Sequence, residues 1–130
     1  MAALLKKFQL ATAVENTPSG NPGPNDVFYS STLYNCRIPA NASSFILCSN
    51  PDGTGDTYVD DLLVVSVNGT QVFDYDYSHG NSGRITPLPA KNISTAMMPF
   101  AGKTVSINAT FTDLYPNNQG GSPIFLCIFS

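Results

Sequence analysis

Apolar and polar residues alternate with a period of two along most of this chain, and each alternating run ends at a cluster of turn residues. Phe8, Leu10, Thr12 and Val14 alternate with Gln9, Ala11 and Ala13, with Leu4 and Leu5 ahead of them. That pattern predicts a short strand. Further strands are expected over residues 27–33 and 44–49. Thr104–Asp113 alternates most cleanly, with Val105, Ile107, Ala109 and Phe111 on one side and Thr104, Ser106, Asn108, Thr110 and Thr112 on the other. Ile124–Phe129 is apolar without interruption, as for a strand covered on both faces. Residues 84–89, RITPLP, read as an edge strand, because Pro87 and Pro89 have no N–H for a ladder. Residues 92–98 have room for one helical turn.

Turn-rich segments separate these runs: NTPSGNPGPND (16–26), NPDGTGDT (50–57), SHGNSG (78–83) and PNNQGGSP (116–123). Seven or eight strands with almost no helix predict an all-β fold, an antiparallel β-sandwich or jelly roll with an N-terminal extended arm. The expected organisation is an arm over residues 1–15, a Pro/Gly-rich linker over 16–26 and a β-sandwich domain over 27–130. Such an arm can add to a neighbouring subunit's sheet or fold back as the domain's own edge strand. In the first case Leu4, Leu5, Phe8, Leu10 and Val14 are its contact residues.

Asn68-Gly69 lies between the β-branched run Leu62–Val67 and the returning run 70–77, the strongest local signal for a type I′ hairpin. A two-residue loop pairs Val67 with Thr70, Val65 with Val72, Leu63 with Asp74 and Asp61 with Asp76. Paired residues share a face, so Asp61, Asp74 and Asp76 are expected to converge at the sheet end far from the turn. Clustered carboxylates repel unless neutralised, which makes these three the candidate ligands of a Ca²⁺ ion, with Asp52 or Asp56 able to join. Three solvated aspartates are the plainer reading. The spacing is not that of an EF-hand loop.

Composition narrows the functional classes. The chain is 42% hydrophobic but only 12% charged, and Asn, Ser, Thr and Gly fill the polar positions. A neutral polar exterior suits an exported or virion protein, or a subunit covered by neighbours. The net charge of −3 gives no basic face for nucleic acid. No apolar run approaches the roughly 20 residues that span a bilayer, so no membrane partner is expected. The opening MAALLKKFQLATAV lacks the order of a secretory leader, so the chain is expected to be kept as written. Cys36, Cys48 and Cys127 read as buried thiols or as a Cys36–Cys48 bridge with Cys127 free. With one His and no C-x-x-C spacing they do not describe a zinc site. His79 reads as a solvated loop residue; there is no G-x-S-x-G elbow, and one Glu with no Trp gives little from which to build a glycosidase cleft. No catalytic residue and no enzyme activity are expected. Four Asn-x-Ser/Thr matches, at Asn41, Asn68, Asn92 and Asn108, are what an Asn- and Thr-rich chain gives by chance. Tyr58, Tyr75 and Tyr77 are the candidates for stacking on a sugar, with ordinary packing as the competing role.

The stretch VDDLLVVSVNGTQVFDYD resembles the central hairpin of jelly-roll modules found in carbohydrate-binding proteins and in virion surface proteins. It covers under a fifth of the chain. The resemblance implies two readings. One is a non-enzymatic structural or assembly protein, a bacteriophage capsid-decoration or tail component located in the virion. Its partners would be copies of itself or a major structural protein of the particle. The other is an extracellular carbohydrate-binding module with a structural Ca²⁺ near the aspartates. The chain departs from the usual sugar platform in having no Trp.

Overall fold

The computed structural model describes residues 2–17, 26–79, 84–114 and 119–130. Its elements follow the alternation closely. They are β1 (Leu4–Ala11), β2 (Val14–Thr17), β3 (Asp26–Arg37), β4 (Ser44–Cys48), β5 (Leu62–Val67), β6 (Thr70–Asp76), β7 (Lys91–Asn92), α1 (Ser94–Met97), β8 (Thr104–Asp113), β9 (Gln119–Gly121) and β10 (Ile124–Phe129). A 3₁₀ turn over Met98–Phe100 continues α1. Among the described residues no helix is long and apolar enough to cross a membrane.

The strands form two four-stranded antiparallel sheets, in the orders β1-β10-β4-β7 and β3-β8-β5-β6, and a small β2-β9 ribbon. In sequence order the chain visits the first sheet, the second, the first, twice the second, the first, the second and the first again. That alternation is the wiring of a jelly roll. The core lies between the sheets. Leu63, Val65, Ile107 and Phe111 from one meet Phe45, Leu47, Leu126 and Ile128 from the other, all buried. The outward face of β10 is also covered. Gly53, at φ +93°, sits so close to Phe129 that a Cβ there would lie 2.7 Å from its ring.

The N-terminal segment is a strand, as its alternation predicts, but it belongs to its own domain. β1 pairs antiparallel with β10 of the same chain, from Leu4↔Phe129 to Ala11↔Ile124. Leu10 and Ala11 are buried in the core, and Phe8 and Val14 pack against it, while Leu4 stays exposed. Leu5 is half-buried. The physical reason is that β10, paired with β4 on one hydrogen-bonding edge, has a second edge to satisfy; β1 takes it and in doing so buries Leu10 and Ala11. Leu4, Leu5, Phe8, Leu10 and Val14 are therefore not the contact set of a free arm, and of the two fates open to the segment it takes the edge strand. That edge carries Lys6 and Lys7 and two register irregularities, features that discourage pairing with another sheet.

The hairpin forms as its turn chemistry predicts, with φ +50° at Asn68 and +81° at Gly69. Its register is the correction. Val67 pairs with Thr70 and Ser66 with Gln71, but Val65 pairs with Phe73 rather than Val72. Val72 is the extra residue of a β-bulge. Every later pair shifts by one: Val64↔Asp74, Leu63↔Tyr75, Leu62↔Asp76. The shift turns Phe73 and Tyr75 toward the core and keeps both aspartates off that face. Residues 84–89 make one isolated bridge, Leu88 with Thr57, and Thr86 N donates to Tyr77 O at 2.7 Å; Pro87 and Pro89 have no N–H with which to extend a ladder.

Candidate functional site

Asp61 is separated from Asp74 and Asp76 by the bulge. Asp74 is exposed opposite Val64. Asp76 closes the turn after β6, its Oδ1 accepting from Ser78 N at 2.9 Å, Ser78 Oγ at 2.6 Å and His79 N at 3.0 Å. Asp52 serves its own loop, accepting from Thr54 N and Oγ1, and these bonds hold its pKa below the usual carboxylate value. The expected Asp61, Asp74, Asp76 cluster does not form, and neither Asp52 nor Asp56 reaches Asp61.

A different triad does form. Asp60, Asp61 and Asp113 are all buried and offer carboxylate oxygens within 4.8 Å of one another. Antiparallel pairing of β5 with β8 puts them there. Leu62 pairs with Thr112, so Asp61 lies level with Asp113 one position beyond. Asp61 N donates to Thr112 O at 2.9 Å, and Tyr77 N donates to Asp61 O at 2.8 Å. Asp60 N donates to Gly120 O at 2.8 Å, and the Asp60–Asp61 peptide is cis. Among the described residues Leu114 N donates to Asp61 Oδ2 at 3.1 Å and Gln119 Nε2 to Asp113 Oδ2 at 3.0 Å. No described residue donates to Asp60 Oδ1, although Asp60 is only 7% exposed. Burial, then a hydrogen bond with Asp61 and the charges of Asp61 and Asp113, push the Asp60 carboxyl up to about 8.

Asp60 also lines a cavity of about 290 Å³ together with Val14, Tyr58, Ile85 and Gly120. The Tyr58 backbone is fixed to Ser122: Tyr58 N donates to Ser122 Oγ at 3.1 Å, and Ser122 N donates to Tyr58 O at 2.9 Å. With its main chain held, Tyr58 remains 42% exposed.

The other two tyrosines are committed to packing. Tyr77 is wholly buried, its hydroxyl 2.7 Å from Thr57 Oγ1, and burial pushes its pKa up to about 12. It has no ring face for a sugar. Tyr75 is half-buried, edge-on to Tyr77 at 4.7 Å, and its hydroxyl lies 2.7 Å from His79 Nε2. Of the three candidates, Tyr58 alone faces the cavity.

All three cysteines are free and buried. Cys48 lies 3.7 Å from Cys127, sulfur to sulfur, not beside Cys36, so the Cys36–Cys48 bridge is not made. Burial and then the Cys127 neighbour push the Cys48 thiol up to about 12. Burial also raises Cys36, against a smaller lowering by Lys6.

The sequence held signals for the missed residues. Continuing the inward series Val105, Ile107, Ala109, Phe111 by one step reaches Asp113. The adjacent apolar pair Val72-Phe73 marks the phase change that a bulge makes. No protein-family model, curated protein or solved structure gives a significant match to this chain.

Proposed function

We propose that this chain is a non-enzymatic β-sandwich binding module that takes a saccharide in the cavity beside Tyr58. The observation that carries the reading is the make-up of that cavity. Tyr58 supplies a partly exposed aromatic ring on a fixed backbone, Val14 and Ile85 supply apolar lining, and Asp60 is the acidic residue among the lining. An aromatic ring receives the C–H face of a pyranose, and a carboxyl group hydrogen-bonds its hydroxyls. Most ligand sites combine apolar walls with a few such polar groups.

The test is saturation-transfer NMR on the full chain against a panel of neutral mono- and disaccharides. At least one should bind, and Tyr58→Ala should weaken it about tenfold, the loss of roughly 1.4 kcal/mol expected for one stacking contact. Thermal stability should stay unchanged, because so exposed a ring contributes little to the fold. A panel with no binder, or a binder indifferent to Tyr58→Ala, refutes the reading.

A second reading, a subunit of a virion, draws on another observation. Val27 and Tyr34 are 54% and 72% exposed on β3, the outermost strand of its sheet. Native mass spectrometry decides it: a stoichiometric oligomer lost on Tyr34→Ser supports assembly, and a monomer at micromolar concentration counts against it.

A further inference from the structure

We infer that Asp60, Asp61 and Asp113 together hold a divalent cation, and that the donor chemistry selects Ca²⁺. The inference does not rest on the saccharide reading, since the site is defined by the triad and not by Tyr58.

The first ground is geometry. One carboxylate oxygen from each residue lies within 4.8 Å of the others, no farther apart than two oxygens on opposite sides of an ion with ligands at about 2.4 Å. The second is the state of Asp60. Its Oδ1 has no donor among the described residues, although the side chain is more than nine-tenths buried. A buried carboxylate oxygen left without a donor is costly, and a metal ion supplies the missing partner. The third is access. Asp60 borders the cavity of about 290 Å³, which gives an ion an entry path and room for water to complete its coordination.

The existing hydrogen bonds are compatible with ligation. Among the described residues Leu114 N donates to Oδ2 of Asp61 and Gln119 Nε2 to Oδ2 of Asp113. A carboxylate has about four lone-pair positions, so a bound donor orients it without exhausting it, as partners outside a metal's own ligands do. The donor set is all oxygen, which suits Ca²⁺, Mg²⁺ or Mn²⁺ and not Zn²⁺ or copper. Mg²⁺ dehydrates reluctantly and prefers few protein ligands. Three carboxylates this deeply buried favour the larger ion, which sheds water readily. Carboxylates gathered out of solvent repel one another when ionised, and a divalent cation provides the counter-charge at the point where they meet.

Isothermal titration calorimetry of the chelator-treated full chain with CaCl₂, without sugar, tests the inference, with thermal unfolding as the second readout. One ion should bind per chain and raise the unfolding midpoint, because a ligand taken up only by the folded state stabilises it. Asp60→Asn and Asp113→Asn should each weaken binding at least about tenfold. Both should fold, since Asn keeps the shape of Asp and adds no buried charge; far-UV circular dichroism checks this. Asp74→Asn, outside the triad, should bind as wild type does. No heat and no midpoint shift at millimolar CaCl₂ overturns the inference. So does undiminished binding by folded Asp60→Asn, or a loss in Asp74→Asn equal to that in the triad variants. Tighter binding of MgCl₂ than of CaCl₂ overturns the choice of ion. A protein that takes up Ca²⁺ but no saccharide sinks the proposed function and leaves this inference standing.

Discussion

Gly121 and Phe111 offer a measurable test of how the site end of the sandwich is packed. Phe111 is fully buried, with Tyr29 stacked at 4.8 Å and Phe28 at 5.8 Å. Gly121 bridges to Val59, next to Asp60, and has no positive φ to demand glycine. Its constraint is space: a Cβ there would fall 2.7, 3.1 and 3.4 Å from three atoms of the Phe111 ring. A ring wedged between two other aromatics and a sheet has nowhere to retreat. Gly121→Ala should therefore destabilise the fold by about 1–3 kcal/mol, the usual cost of overpacking. Phe111→Ala should cost about 3–5 kcal/mol through lost burial and the cavity left behind. In the double variant the new methyl points into space the ring has vacated, so its penalty disappears. The double variant should be more stable than the sum of the single losses by about 1–3 kcal/mol. Urea unfolding followed by far-UV circular dichroism measures all four proteins. Single losses of about 4–8 kcal/mol together could consume a total stability of about 5–15 kcal/mol, so the cycle is best run in a stabilising sulfate buffer. Additivity within about 0.5 kcal/mol would refute the argument, since it would mean that the ring is not what excludes a side chain at Gly121.

The remaining predictions concern pH and the first strand. Folded Asp60 keeps a proton up to about 8 that the unfolded chain, with the ordinary value of 3.8, has already released. The native state thus binds more protons over that window, and in metal-free protein stability should fall as pH rises from 4 to 8. Urea midpoints at several pH values should show this slope and Asp60→Asn should flatten it; a slope unchanged in that variant refutes the assignment. Deleting residues 1–11 should unfold the chain or leave it aggregated, because it removes Leu10 and Ala11 from the core and uncovers β10. A truncated chain with a cooperative thermal transition at the full-length midpoint would show that β1 is dispensable.

Much of the fold was legible because two-fold periodicity is a local property. The bounds of β8 and β10 and the Asn68-Gly69 turn follow from residues close together in sequence. The site was less legible because it depends on relations that alternation within one strand does not encode. Pairing Val65 with Val72 assumes an unbroken ladder. One extra residue reverses which face every later side chain takes, and so Asp74 and Asp76 left the predicted cluster. Asp60 and Asp113 entered because the end of β5 lies against the end of β8, more than fifty positions apart. Tyr77 looked like Tyr58 in composition terms. Only tertiary packing distinguishes a ring sealed against Thr57 from one left open beside Ser122. The first strand shows the same limit, since its alternation predicts a strand and cannot say whose sheet it joins.

The position of β10 governs when this protein can fold during synthesis. The strand that comes last in sequence lies between β1 and β4, near the middle of its sheet. A nascent chain thus has β1 and β4 outside the ribosome with the seat between them empty. Translation at about 5–20 residues per second separates the emergence of β1 from that of β10 by roughly ten seconds. During that interval the hairpin of β5 and β6 can close and wait, but β1 has no partner. Lys6 and Lys7 then act on the nascent chain as well, keeping an apolar segment dispersed until β10 arrives. Completion of the first sheet thus waits for β10, and its pace is set by a long-range pairing of the kind that makes β-rich folds slow.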